Sequence, residues 1–129
     1  MVLPLFLALI FGIIEFSYAV AQNNEIRHVS REATRELGVN PSADAMTLVC
    51  GGFDLIDPSD ALVSLDAAGV VAGDSAELAV DVTYQTLTGF FDAMFVGVHL
   101  ETAHRFAVDQ PFGGGSPGWA ADFGPTVCP

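Results

Sequence analysis

Val2-Leu3-Pro4-Leu5-Phe6-Leu7-Ala8-Leu9-Ile10-Phe11-Gly12-Ile13-Ile14-Glu15-Phe16 opens the chain, and how this block is read decides the fold. A soluble domain does not begin with an uncharged apolar run this dense, because outside a packed core it would expose an aggregation-prone patch. The block is therefore a membrane segment. From residue 2 to residue 21 Glu15 alone is charged, and about 20 residues of helix cross a hydrocarbon layer of roughly 30 Å. A carboxylate deep in a bilayer is costly, so Glu15 is expected near an interface or facing a partner. With Glu15 at an interface, Met1 is too shallow to complete the crossing, which predicts further chain upstream of Met1.

Two outcomes compete for this segment. Ala19-Val20-Ala21 before Gln22 fits the small-residue cleavage pattern of a secretory signal. Against that, no Lys or Arg precedes the apolar block, and Glu15-Phe16 interrupts the stretch between it and the cleavage site. The residues beyond Ala21 support a helix that continues. Ile26, Val29, Ala33 and Leu37 recur at helical spacing, and Arg27, Arg31 and Arg35 form a second stripe on the neighbouring face. Gly38 stands where a C-cap glycine would, and Asn40-Pro41 ends the helix. The expected organisation is a transmembrane segment over residues 1–21, an amphipathic extension of the same helix over 22–37, and a small acidic β-rich domain over 38–129.

The first 37 residues resemble the N-terminus of the TadE-like family, minor pseudopilins of the tight-adherence (Tad, Flp-type) pilus system. The resemblance is carried by the Leu3-Pro4 apolar run, by the element Gly12-Ile13-Ile14-Glu15-Phe16, and by Ser30-Arg31-Glu32-Ala33-Thr34-Arg35 in place of the family's arginine-bearing helix ending. Family members usually carry a basic leader, a peptidase-cleaved glycine and a Glu-Phe pair upstream of the Leu-Pro element; here Met1 stands directly before Val2-Leu3-Pro4. The resemblance implies a non-enzymatic protein that takes part in assembling a pilus or its secretion machinery. Its partners would be membrane lipid, pilin and pseudopilin helices and platform proteins. A weaker likeness sits in Ala79-Val80-Asp81-Val82-Thr83-Tyr84, where the family has a V-x-V-T-Y-like strand.

Orientation draws on two opposing signals. Three arginines after the span and none before it would place the C-terminal part in the cytoplasm by the positive-inside rule. The chain's two cysteines, Cys50 and Cys128, flank most of the soluble part and read as a disulfide in an envelope protein, with two free buried thiols as the alternative. A basic leader upstream would reconcile the two. The domain is therefore expected outside a single-pass inner membrane anchor. Chemistry of the acidic half narrows its partners. Residues 38–129 hold ten Asp and two Glu against one Arg, and the chain, at a net charge of −12, has no Lys. A nucleic-acid interface, which needs Lys and Arg on phosphates, is excluded on that composition.

The domain's pattern is that of α+β: the long helix, then an antiparallel sheet of three or four strands and an irregular, disulfide-tied tail. Ala76, Leu78, Val80, Val82 and Tyr84 alternate with polar or small residues as a half-buried strand does. Val96, Val98, Leu100 and Phe106 share one parity, and His99, Glu101 and Arg105 the other, which predicts a second strand over 96–106. Weaker strands are expected over 47–50 and 62–65. From 110 to 129 the chain has Gly113-Gly114-Gly115 and no periodicity, and Trp119 and Phe123 are expected to pack back onto the sheet.

No catalytic constellation can be assembled, and neither a cofactor, a metal nor a small-molecule substrate is expected. His99 and His104 fall on opposite strand faces, His28 is remote, and the Gly113-Gly114-Gly115-Ser116 run lacks the lysine of a phosphate loop. The contacts expected to matter are Gly12, Glu15 and Phe16 inside the membrane assembly, Arg27, Arg31 and Arg35 toward lipid headgroups or a partner helix, and the pair Cys50 and Cys128. Two rival functions stay open: an acidic binding domain secreted after cleavage at Ala21, and a membrane-anchored envelope protein unrelated to pili.

Overall fold

A computed structural model describes residues 2–40, 43–67, 70, 72–109 and 123–129. Helix α1 runs unbroken over Val2–Val39, 38 residues, or about 57 Å at 1.5 Å per residue. Pro4 sits in its first turn, where the missing N–H has no intrahelical partner to lose. The helix has two characters. Residues 2–14 carry no buried side chain, whereas from Glu15 onward a stripe of Glu15, Gln22, Ile26, Val29, Ser30, Ala33, Thr34, Leu37 and Gly38 is covered. Gly38 lies within the helix and not at a left-handed cap. A Cβ there would meet the Ala107 carbonyl oxygen at 3.1 Å, so the glycine serves the close approach of α1 to the sheet.

A four-stranded antiparallel sheet packs against this stripe: β1 Ala61–Asp66, β2 Ser75–Thr83, β3 His99–Ala107 and β4 Phe123–Val127, in the order β3-β2-β1-β4. A fourth strand returning beside the first gives the order of a Greek key. Alternation does what the pattern requires. Ala61, Val63 and Leu65 of β1 and Ala76, Leu78, Val80 and Val82 of β2 face α1, and with Ile26, Val29, Ala33 and Leu37 they make the core. The opposite face is polar, with an Arg105–Glu77 ion pair at 2.7 Å and His99 Nδ1 3.0 Å from Asp81.

Three expectations are corrected here. Residues 47–50 are not a strand but belong to helix α2, Ala45–Cys50, whose N-cap Asp44 accepts from Met46 N at 3.0 Å and Thr47 Oγ1 at 2.7 Å. That cap, and Ala45 and Val49 one turn apart in the core, outweigh the β-branched composition. The strand expected over 96–106 begins only at His99, because a one-turn helix α3, Asp92–Phe95, and the left-handed Gly97 (φ 77°) occupy the residues before it. The tail is not wholly irregular: Phe123–Val127 is β4, paired to β1 with a register shift between Val63 and Leu65. Phe123 packs against the core as expected, while Trp119 and Gly113-Gly114-Gly115 lie outside the described residues.

The Cys50–Cys128 disulfide is formed, with the two Cα atoms 5.7 Å apart. It joins the end of α2 to the end of β4, and not two strands, while Cys128 N donates to Ala61 O at 3.1 Å.

Candidate functional site

Among the described residues Glu15 is the most closely organised polar group. It is 2% exposed, although it stands at the end of an apolar run whose residues 2–10 are all exposed. The cover is a loop of residues 84–98 between β2 and β3, in which Tyr84 and Val98 are joined by a backbone bond of 2.9 Å from Tyr84 N to Val98 O. Glu15 Oε1 accepts from Thr88 N at 2.8 Å and from the Thr88 hydroxyl, and Oε2 accepts from Leu87 N at 3.1 Å and from the Tyr84 hydroxyl at 3.3 Å. Two consecutive backbone N–H groups and two hydroxyls thus hold one carboxylate without any cation. A charged acceptor makes each of these bonds stronger than its neutral counterpart. Burial pushes the Tyr84 hydroxyl above its ordinary pKa, and the adjacent Glu15 charge pushes it the same way.

Glu15 therefore meets its own chain, and the loop that meets it is the part of this site that the sequence did not disclose. A signal was present: Leu87, Phe90, Phe91, Met94, Phe95 and Val96 crowd around and between Gly89 and Gly97, both left-handed, an apolar density unusual in a loop. Aromatic contacts tie the loop together and to α1. Phe90 stacks on Phe11 with centroids 5.6 Å apart, and Phe95 lies edge-on to Tyr84 at 5.4 Å.

Gly12 and Phe16, the other expected membrane contacts, fall on a different side of α1. Phe16 is 71% exposed, and a Cβ at Gly12 would meet nothing within 4 Å. Residues four apart share one stripe, so these two leave an open apolar track beside the covered Glu15. Arg27, Arg31 and Arg35 are exposed and, with Asn24, His28 and Glu32, line a shallow groove along the outer face of the helix. Elsewhere on α1, Glu25 Oε1 accepts from Asp54 N at 2.6 Å and Leu55 N at 2.9 Å, which fastens the connection after α2 to the helix.

Among the described residues no cluster of three or more His, Cys, Asp and Glu side chains is gathered to hold a metal ion. His99 and His104 lie on opposite faces of β3, as their spacing required. By length and composition α1 is long and apolar enough to cross a membrane, which is consistent with a single-pass anchor.

No curated protein and no solved structure gives a significant match to the chain. Residues 1–35 match the family model described as TadE-like protein, a stretch that takes in the apolar run, Glu15 and all three arginines of the stripe. The first 35 residues of this chain are therefore similar to TadE-like protein, a pilus-associated family.

Proposed function

We propose that the protein is a minor pseudopilin-like component that takes part in assembling a Tad-type pilus or its secretion machinery, and that it acts by packing and not by catalysis. The observation that carries this is the coincidence of the TadE-like match, residues 1–35, with the apolar and arginine-striped part of α1. In this reading the chain is a single-pass protein of the inner membrane, residues 1–21 lie in the bilayer, 22–37 extend the same helix, and the acidic domain of 38–129 faces outward. The stripe of Gly12 and Phe16 offers pilin or platform helices a close approach, because a glycine beside an open apolar track lets backbones come together. Arg27, Arg31 and Arg35 face anionic headgroups or a partner helix where α1 leaves the bilayer.

The secreted alternative is disfavoured by a particular contact. Cleavage after Ala21 would remove Glu15 and leave the N–H groups of Leu87 and Thr88 without their acceptor. A deletion strain tests the main reading. Loss of surface pili and of adherence is expected, with recovery by the wild-type chain and poor recovery by a chain in which Arg27, Arg31 and Arg35 are all Gln. Unchanged pilus number in the deletion would end it.

A further inference from the structure

We propose that the loop of residues 84–98 inserts into the interfacial zone of the same bilayer that α1 enters, so that the chain meets lipid through two adjoining elements. This rests on reading α1 as a membrane helix and adds a second lipid-binding surface to it. Leu87, Phe90, Met94 and Val96 project outward from the loop, Met94 74% and Val96 81% exposed. Exposed apolar side chains gathered at one end of a small domain mark a partner or a membrane.

Continuity with α1 selects lipid as the occupant. Phe90 stacks on Phe11, which lies inside the apolar run and one turn before Glu15, so the loop reaches along the helix toward its N-terminus. Residues 2–14 rise only about 20 Å, less than a hydrocarbon layer of roughly 30 Å. With Glu15 at the lipid–water boundary, Phe11 lies about 6 Å inside it and carries Phe90 to that boundary, while residues 16–21 cross the headgroup layer. The loop's composition fits that depth. It has no Lys or Arg, and Asp92, its single charged residue, accepts from the Thr86 hydroxyl. One hydrogen-bonded acid and several aromatic rings suit the headgroup and carbonyl region better than the bilayer centre. Glu15 completes the arrangement, because its carboxylate reaches that level already supplied with Leu87 and Thr88 N–H donors. The far end of the sheet, with Asp66 opposite Glu77, stays in water.

The experiment uses the full chain with its Cys50–Cys128 disulfide intact, in vesicles of phosphatidylethanolamine and phosphatidylglycerol. Met94→Cys and, separately, Val96→Cys are labelled with an environment-sensitive nitrobenzoxadiazole dye, with Asp66→Cys as the distal control. Blue-shifted emission quenched by acyl-chain nitroxide lipids is expected at 94 and 96, and water-like emission quenched by iodide at 66. Iodide-accessible, unshifted emission at both 94 and 96 overturns the proposal. So does a blue shift that acyl nitroxides leave unquenched, which would mean that protein covers the loop. Flotation of the unlabelled chain with the same vesicles keeps the two readings apart: a chain that does not float sinks the membrane helix itself, and a chain that floats with a wet loop sinks only this inference.

Discussion

Replacing one oxygen of Glu15 by an amide is the sharpest change available at the residue scale. Glu15→Gln keeps the shape but turns an NH2 group toward N–H and hydroxyl donors, so one of Leu87 N and Thr88 N is left without an acceptor. These bonds are only part-buried, so the loss is expected at the low end for an unmet donor, about 1 kcal/mol. Faster hydrogen exchange at Leu87 and Thr88 is expected, with α1 and the sheet unaffected; unchanged protection would show that the carboxylate does not organise the loop. Glu15→Leu should enter the membrane more readily, since it removes an intramembrane acid, yet it should free the same loop.

Asp57 offers a pH-dependent counterpart outside the helix. Its carboxyl is held below the ordinary aspartate value, first by the Ser59 hydroxyl and then by the Ser59 N–H at 3.0 Å. A depressed folded pKa contributes stability above the unfolded value that is lost as pH falls through the folded one. NMR titration should therefore place Asp57 below a free aspartate, and Asp57→Asn should remove that part of the acid sensitivity.

Among the elements, β4 depends most on a single bond. It is exposed along most of its length and pairs with β1 through a shifted register, so side-chain burial holds it weakly. The disulfide closes a loop across a sequence separation of 78, and in the chain-entropy model that is about 4 kcal/mol. Cys50→Ser with Cys128→Ser should lower the unfolding midpoint accordingly and expose the amides of Phe123–Val127 to exchange before those of β2. Loss of protection in β2 first would mean that β4 is held by something other than the bond. Helix α2 carries the opposite lesson, because a short capped helix appears where β-branched residues alone suggested a strand.

For the whole molecule, anchoring is the property to check. Intact mass of the protein taken from membranes should retain the peptide of residues 5–14, whereas a mature N-terminus at Gln22 would make it a secreted domain. The continuous run of α1 through Ala21 and the cover that the domain lends Glu15 both make retention the expected result.

Periodicity and composition were enough to determine the long helix, its change from apolar to amphipathic and the inward faces of β1 and β2. These are properties of local spacing, and a 3.6- or 2-residue period survives in the sequence whatever packs against it. Cys50 and Cys128 could be read as a pair from their count, but their bond became visible only when α2 and β4 were brought to one edge of the sheet. The start of β3 and the strand in the tail were likewise decided in three dimensions, by Gly97 and by the free edge of β1. Most of all, the environment of Glu15 was beyond the sequence. Its donors sit some seventy residues away, on a loop with no period, and nothing local to Gly12-Ile13-Ile14-Glu15-Phe16 states that they will fold back over it.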